Sequence, residues 1–310
     1  MQSDRSEPSR ILITGATGFV GRALVQRMIS KGKRPRITSR NPTTAFRLFG
    51  DNVEIVSADW VTGRGTTSVG AGIRIAYYLV HSMGTRPDFA EADRIAANSF
   101  AAEMGRSGVE RIIYLGGLGG EGLELSHHLA SRREVEGLLR QGSVPVTTLR
   151  AAIILGAGGS SFEMLVQLVE KLPVMICPRW VETRCQPIAL MELLRYLEGC
   201  AERPEVIGQT YDVGGPEVLS YRKMMERVGD HIGRRPRLFV VPVLTPSLSA
   251  HWVGFITLVS SDIARPLVEG MKNPVVCQDD RMAQLVPGHR YGFDEALDIA
   301  LRDRSPGVRR

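Results

Sequence analysis

The sequence predicts an α/β protein with a doubly wound parallel sheet and a smaller, discontinuous C-terminal substrate lobe. Three observations lead to this fold class. Short β-branched runs alternate with amphipathic helical stretches through the first half of the chain. The runs are almost wholly apolar, which is typical of strands buried on both faces. A glycine-rich turn joins the first run directly to the first helical stretch.

Six runs in the first half predict strands, and two stretches between them show clear helical periodicity. The predicted strands are Ile11–Thr14, Arg36–Ser39, Val53–Ser57, Ile75–Val80, Arg111–Leu115 and Val146–Arg150. One helical face carries Val20, Leu24, Val25 and Met28, and another follows Phe89, Asp93, Ala96, Phe100 and Met104. Strand and helix alternate in a way that favours a parallel sheet with helices on both sides.

After Gly156 the pattern changes, and prolines divide the chain more often. Here the spacing predicts helices at Ser161–Leu172, Leu190–Ala201 and Ser220–Ile232, and a late strand at Thr210–Val213. We therefore expect a dinucleotide-binding domain over 10–155 and a mixed lobe over 156–300. The stretch 185–215 should return to the first domain.

Composition narrows the classes of function. The 310 residues are 43% hydrophobic and 23% charged, which excludes a disordered, collagen-like or coiled-coil chain. The net charge of +6 suits anionic ligands, but no basic run is interleaved with aromatic residues, so we expect no nucleic-acid partner. The four cysteines lack metal-ligand spacing. We therefore expect no metal and a cytoplasmic protein.

The most apolar segment covers residues 238–259. It contains Pro242 and Pro246, which argue against a membrane-spanning helix. We interpret it as a buried or interfacial segment, and weak peripheral association with a membrane stays open.

The glycine turn is the strongest signal in the chain. It follows the first strand as Gly15-Ala-Thr-Gly18-Phe-Val-Gly21. Gly15 allows a tight turn, Gly18 lets the backbone approach a pyrophosphate, and Gly21 allows the helix to pack closely on the strand. The pyrophosphate would then lie on free N–H groups at the start of the helix, where Thr17, Phe19 and Val20 supply backbone. The alternative is a tight turn without a ligand. In this context the turn predicts a Rossmann-type fold.

This GxxGxxG turn, preceded by Thr14, resembles the extended and atypical short-chain dehydrogenase/reductase superfamily, and most closely its NmrA-like NAD(P)H-binding proteins. Further matching segments are Ala58-Asp59, Tyr78-Leu-Val-His-Ser82, Leu149-Arg-Ala-Ala-Ile-Ile-Leu-Gly156 and Tyr211-Asp-Val-Gly-Gly-Pro216. The resemblance covers about residues 10–235 and implies an NAD(P)H cofactor. Beyond the turn, it implies cofactor contacts at Asp59, Trp60, Leu79, Val80, His81, Gly116, Gly117, Arg132, Ala152 and Ile153.

The end of the second strand predicts which dinucleotide is preferred. An acidic residue there would bind the ribose 2′-hydroxyl of NAD, but the chain has Thr38-Ser39-Arg40-Asn41. Arg40 offers a planar fork suited to a 2′-phosphate, and Ser39 adds a hydroxyl. We therefore expect NADP(H) to be preferred over NAD(H). A surface arginine at a strand end is the alternative, just as Asp59 could simply cap the next turn.

The resemblance also shows what this chain lacks. The superfamily normally uses a Tyr and a Lys four residues apart after the fifth strand, helped by a Ser on that strand. Here the segment from His128 to Glu136 aligns with the pattern YxxSKxxxE, so that His128 replaces Tyr and Arg132 replaces Lys. Gly116 and Gly117 occupy the strand end where the Ser would be.

His128 and Arg132 lie four residues apart on a predicted helix and so share a face. Arg132 can bind ribose or phosphate, but its pKa is too high for it to relay a proton. His128 can act as a general acid near neutral pH, or can be a polar residue without a catalytic role. His81, at the end of the fourth strand, is a second candidate donor. Tyr77 and Tyr78 alternate sides, and packing is the interpretation we favour for both.

The substrate lobe offers several lining candidates, each of which could instead hold the lobe together: Met83, Phe162, Arg179, Trp180 and Arg184. Their apolar members indicate a small, lipophilic substrate. The function predicted is an NADPH-dependent reductase of a carbonyl or activated alkene. Two alternatives stay open: a non-catalytic NADP(H)-binding regulator or structural subunit, and an epimerase or isomerase with a bound cofactor. We expect a monomer or homodimer with a small-molecule substrate as its partner.

Overall fold

A computed structural model describes residues 10–82, 88–119, 125–241 and 267–304 of the chain. Nine helices are delimited in this part: α1 (Phe19–Ser30), α2 (Pro42–Phe49), α3 (Phe89–Arg106), α4 (His127–Gln141), α5 (Ser160–Lys171), α6 (Leu190–Glu202), α7 (Tyr221–His231), α8 (Arg281–Leu285) and α9 (Phe293–Asp303). Short 3₁₀ turns occur at Gly50–Asn52, Arg179–Glu182 and Pro204–Val206.

The strands form one large sheet and three small ones. The large sheet contains β1 (Ile11–Ile13), β2 (Arg36–Ser39), β3 (Glu54–Ser57), β4 (Ile75–Tyr78), β5 (Arg111–Gly117), β6 (Val146–Ala151) and β11 (Thr210–Val213). The two-stranded sheets pair β7 (Ile154–Leu155) with β10 (Ile188–Ala189), β9 (Arg184–Cys185) with β12 (Leu219–Ser220), and β8 (Val174–Pro178) with β13 (Arg237–Val241).

The large sheet has the order β11-β6-β5-β4-β1-β2-β3. β1 runs parallel to both β2 and β4, and the chain changes direction across the sheet between them. In such sheets the ligand crevice lies outside the carboxyl ends of the strands at this change of direction. The doubly wound parallel fold predicted from the sequence is confirmed, and the turns after β1, β2 and β4 share that edge.

The chain divides into two compact units. The first contains 1–116, 133–149 and 197–210, and the second contains 117–132, 150–196 and 211–310. The predicted boundary between 155 and 156 stays a prediction. The core of the first unit includes Trp60, Tyr78, Phe100 and Tyr114, whereas the core of the second includes Phe162, Met164 and Tyr221.

The predicted strands are present with ends that differ by at most two residues, and the three helices predicted in the second half have ends that differ by at most one. The three small sheets did not follow from periodicity. Residues 242–259 of the apolar segment lie outside the described residues, and only its beginning is seen, as β13. None of the described helices is both long and apolar enough to cross a membrane.

Candidate active site

The glycine turn after β1 leaves no room for side chains at two of its three glycines. Gly15 has a φ of +66°, and a Cβ there would lie 2.3 Å from the carbonyl oxygen of Leu79. A Cβ on Gly21 would lie 2.2 Å from the carbonyl oxygen of Gly15. At Gly18 the nearest atom would be 3.2 Å away. The first and third glycines are therefore required by the protein's own backbone, whereas the second is not.

The beginning of α1 has the features of an anion site. Gly18 is the N-cap residue, no side chain caps the helix, and the first turn has no acidic residue. The Gly18 carbonyl accepts the first helical bond, from the N–H of Arg22, 2.8 Å away. Thr17 and Gly18 are exposed. Free N–H groups at a positive helix end bind phosphate well, so the turn fits the pyrophosphate of a dinucleotide.

An arginine follows β2, at the same edge of the sheet as the glycine turn after β1. Arg40 is exposed, directly after Ser39. The Ser39 hydroxyl donates to the Asn41 carbonyl at 2.9 Å and accepts from the Asn41 N–H at 3.1 Å. The Ser39 hydroxyl already donates its hydrogen to the Asn41 carbonyl. Arg40 is therefore the better placed of the two residues to bind a 2′-phosphate.

Asp59 and Trp60 follow β3 and are both buried. Asp59 Oδ1 accepts from the N–H of Val61 at 2.9 Å, so the carboxylate caps the following turn, as the alternative interpretation expected. The Trp60 indole donates to Thr38 Oγ1 at 3.3 Å and packs edge-on against Phe100. The predicted contact of this pair with adenine stays a prediction.

The end of β4 is fastened to the glycine turn through Thr14. The Thr14 hydroxyl donates to the Tyr77 carbonyl at 3.0 Å and accepts from the Leu79 N–H at 3.2 Å. A Cβ on Gly15 would also come within 3.1 Å of the Val80 nitrogen. The backbone of Leu79 and Val80 therefore lies directly against the turn, and His81 is the next residue.

His81 is held by a buried carboxylate. Its Nδ1 lies 3.1 Å from Oδ2 of Asp93 on α3, and the other carboxylate oxygen accepts from the Ser82 N–H at 2.8 Å. Asp93 is only 2% exposed. Asp93 Oδ2 is placed to accept a hydrogen bond from His81 Nδ1–H, a contact that orients the ring as carboxylates do for functional histidines. Ring and carboxylate both lie at the sheet edge that the glycine turn shares.

The tyrosines of β4 pack in the interior. Tyr77 and Tyr78 are fully buried, and the Tyr77 hydroxyl donates to the Leu197 carbonyl at 2.9 Å. Burial raises the pKa of the Tyr77 hydroxyl well above its usual value. The prediction that both tyrosines serve packing agrees with these contacts.

At the end of β5, the two glycines have different surroundings. A Cβ on Gly116 would lie 3.1 Å from the Tyr114 ring. A Cβ on Gly117 would lie 2.9 Å from Leu129 and 3.7 Å from the stem of Arg132. Arg132 and His128 are half-buried on α4, and the Arg132 stem lies beside Gly117.

The remaining predicted residues of the second unit vary in exposure. Phe162 is fully buried in the core, Ile153 is buried and Ala152 packs against that core. Trp180 packs edge-on against Tyr221 with ring centroids 6.2 Å apart. Arg179 and Arg184 are exposed. Met83 lies outside the described residues, and the substrate role of the whole set stays a prediction.

No group of three His, Cys, Asp or Glu in the described ranges is arranged to hold a metal ion. Buried thiols have raised pKa values, about 11 for Cys177 and about 12 for Cys185, because burial disfavours the thiolate. These thiols are therefore neutral at physiological pH and unsuited to nucleophilic attack.

Residues 15–167 match a family model described as NAD(P)H-binding. The chain contains an NAD(P)H-binding domain. This confirms the NAD(P)H-binding part of the resemblance noted in the sequence, and the match begins at the first glycine of the turn.

Curated relatives and solved structures are similar to this chain. The chain is 27% identical to a ceramide reductase of Caulobacter vibrioides over 75% of its length and 73% of the relative. It is 24% identical to the mitochondrial NADH dehydrogenase [ubiquinone] 1 alpha subcomplex subunit 9 of Arabidopsis thaliana over 77% of this chain, but this covers only 62% of that relative.

Among solved structures, it resembles the NADPH complex of an Escherichia coli quinone oxidoreductase, with a TM-score of 0.73, 18% identity and coverage of 93% and 98% of the two chains. It also resembles the NADP(H) complex of the Citrobacter sp. triphenylmethane reductase, with a TM-score of 0.74, 16% identity and coverage of 94% and 99%. At these identities the structural similarity shows the fold alone.

Sequence reasoning missed Asp93 as a site residue, although it placed Asp93 on the apolar face of a helix. A carboxylate in phase with Phe89, Ala96 and Phe100 has to be buried, and a buried carboxylate requires a partner. A charged residue on an apolar helix face could therefore have been identified as part of a site. The structure shows that His81 is its partner.

Proposed function

We propose that the protein is an NADPH-dependent oxidoreductase, atypical among short-chain dehydrogenases/reductases and NmrA-like, which reduces a carbonyl or activated alkene of a lipophilic small molecule. One observation carries the proposal. The glycine turn packs on the backbone of Leu79 and Val80, and the next residue is a histidine held by a buried carboxylate. The proposed dinucleotide cradle after β1 and the proposed proton donor after β4 are thus neighbours at one edge of the sheet.

The residues of the turn would hold the cofactor. The N–H groups from Thr17 to Gly21 would bind the pyrophosphate, and the Arg40 guanidinium would pair with the 2′-phosphate. When bound, the reduced nicotinamide supplies a hydride. No carboxylate follows β2, which supports the preference for NADP(H) over NAD(H).

His81 would donate the proton that reduction of a carbonyl requires. With Nδ1–H directed at Asp93, Nε2 would be the ring nitrogen that carries the transferred proton. We assign Asp93 as a positioning residue, since it acts through His81. The alternative donor is His128, which replaces the usual tyrosine on α4.

The apolar character of the substrate is inferred from the relatives. Proteins similar to this chain are named for the reduction of ceramide, quinone and triphenylmethane compounds. The fold alone is shared with the last two. The lining residues that we propose are Trp180, Arg179 and Arg184, whereas Phe162 is buried in the core.

A second candidate is a non-catalytic NADP(H) holder. The observation that favours it is the replacement of the usual Tyr and Lys by His128 and Arg132 on α4. A relative named as a subunit of NADH dehydrogenase also matches. Cytoplasmic location and a monomeric or homodimeric state are further predictions.

The experiment that separates the two candidates is NADPH oxidation followed by absorbance, with long-chain ketones, quinones and ketosphingolipids as substrates. A reductase oxidises NADPH with at least one of them. In His81→Gln, kcat should fall about 100-fold or more, with the NADPH affinity unchanged. In Asp93→Asn, kcat should fall and its solvent deuterium isotope effect should rise, because a misaligned ring transfers the proton more slowly.

His128→Ala is the matched comparison, because it tests the other donor. A fall in turnover in that variant alone would move the proton donor to α4. Bound NADPH that none of the substrates oxidises would support the non-catalytic candidate.

A further inference from the structure

We propose that the outer face of the β8–β13 sheet docks on an anionic membrane surface. This face consists of Val174 and Ile176 on β8 and of Arg237 and Phe239 on β13, all of them exposed. The proposal can be tested independently of the reductase activity, since none of these four residues is placed in the cofactor or substrate site.

Alternation along the strands defines the face. On β8, Val174 and Ile176 are exposed at 47% and 58%, whereas the intervening Met175 is 2% exposed and belongs to the core. On β13, Phe239 is 55% exposed, whereas Leu238 and Val240 pack against that core. Each strand therefore directs alternate side chains inward to the core and the others outward.

The register joins the outward residues into one patch. The strands run parallel, with Ile176 opposite Phe239 and Val174 opposite Arg237. Opposite residues in a sheet project to the same side, so a phenylalanine, an isoleucine and a valine lie together with an arginine beside them. Large side chains of this kind are usually buried, and such a cluster on a surface marks an interaction site.

Basic residues flank both strands of this face in the sequence. The sequence Arg234-Arg235-Pro236-Arg237 leads into β13, Lys171 precedes β8, and Arg179 follows it. Arg235 is 90% exposed. Arg179 and Arg237 have no acidic partner among the residues that the structure describes.

The acidic side chains of the same region are already paired. Glu170 is bound by Arg304 at 2.7 Å, Glu182 by Arg222 at 2.5 Å, and Asp230 lies 3.4 Å from Arg235. The charge left at the face is therefore positive.

Apolar side chains that project between arginines suit a bilayer interface. The rings and aliphatic chains enter the headgroup boundary, while guanidinium groups pair with lipid phosphates. Three apolar side chains are too few for a stable interface with a second copy, which would bury about 800 Å² on each partner.

The test is cosedimentation of the full chain with vesicles of phosphatidylcholine alone or mixed with phosphatidylglycerol. The protein should bind the mixed vesicles at least about tenfold more tightly, and binding should weaken as salt is raised. Arg237→Gln should lower the binding about fivefold, and Phe239→Ser about tenfold or more.

Helix α2 supplies matched controls, because Phe46 is 54% exposed and Arg47 beside it is exposed. Phe46→Ser and Arg47→Gln should leave vesicle binding unchanged. The wild-type comparison of the two vesicle types decides the matter even where a variant fails to fold.

Three results would overturn the proposal. The first is equal or absent binding to the two kinds of vesicle. The second is an equal loss of binding in the α2 controls. The third is a dimer that Phe239→Ser dissociates while vesicle binding persists, which would assign the face to a second copy.

Discussion

Replacing Gly15 with alanine perturbs the turn at the position where the structure leaves the least freedom. Gly15 has a φ of +66°, a conformation that costs an L-residue about 1–2 kcal/mol. The new Cβ would also lie 2.3 Å from the Leu79 carbonyl oxygen. Ordinary contact begins at 3.4 Å, so the two strand ends would have to separate by about 3.4 − 2.3 = 1.1 Å.

Gly32 provides a control that isolates the second effect. It has a φ of +73°, but nothing lies within 4 Å of the position where its Cβ would be. Gly32→Ala therefore costs only the conformational energy, about 1–2 kcal/mol. Gly15→Ala adds the cost of crowding a packed region, about 1–3 kcal/mol. We expect Gly15→Ala to be less stable than Gly32→Ala by that difference.

Urea unfolding of the two variants, with equal m-values, measures the difference in the free energy of unfolding. Gly15→Ala should also lose NADPH binding, because Leu79 and Val80 move with the turn, whereas Gly32→Ala should retain it. Equal stability of the two variants would refute the proposed close contact between the turn and the end of β4.

Three further predictions concern the turn, the thiols and a buried ion pair. Gly18→Ala should leave the unfolding midpoint nearly unchanged but weaken NADPH binding at least about tenfold by calorimetry, because its Cβ meets only one atom, at 3.2 Å, and would face the pyrophosphate. Tight NADPH binding by this variant would contradict that placement. Iodoacetamide at pH 8 should label the thiols slowly until urea is added, because burial raises the pKa values of Cys177, Cys185 and Cys200 and keeps these thiols protonated. Rapid labelling of all three in the native protein would contradict their burial. Arg304→Met should cost about 1–3 kcal/mol in urea unfolding, because it removes the buried partner of the half-buried Glu163 and Glu170. The exposed Arg302→Met should cost little, and equal losses would argue against a structural role for these ion pairs.

The order of strands and helices in the first half follows from the sequence because its signals are local. The apolar runs and the glycine turn each occupy a few consecutive residues. A continuous apolar run is the pattern that parallel strands buried on both faces usually show. Gly15 and Gly21 could be assigned their roles without coordinates, because close backbone packing is the reason for the motif.

The short strand pairs could not be predicted in the same way. The pairing of β8 with β13 joins residues 174–178 to residues 237–241, and nothing in either segment specifies the other. Such pairs depend on long-range packing, which periodicity does not encode.

The residues proposed to bind the cofactor could be predicted from the sequence more fully than those proposed to transfer a proton. The glycine turn and Arg40 follow directly after the first and second strands, and these positions suggested their roles. Asp93 required a contact between residues twelve positions apart, across a helix start that the sequence alone does not position. The hydroxyl of Ser39 was expected to be available, but local turn geometry engages it with Asn41.

The central claim is that the turn after β1 binds a reduced dinucleotide carrying a 2′-phosphate. Calorimetric titration of the folded protein with NADPH and with NADH tests it most directly, together with the variant Arg40→Glu. The account predicts saturable binding of NADPH that is at least about tenfold tighter than that of NADH, and loss of this preference in Arg40→Glu. A titration in which neither NADPH nor NADH binds would contradict the claim. An unchanged preference for NADPH in Arg40→Glu would contradict the role of Arg40.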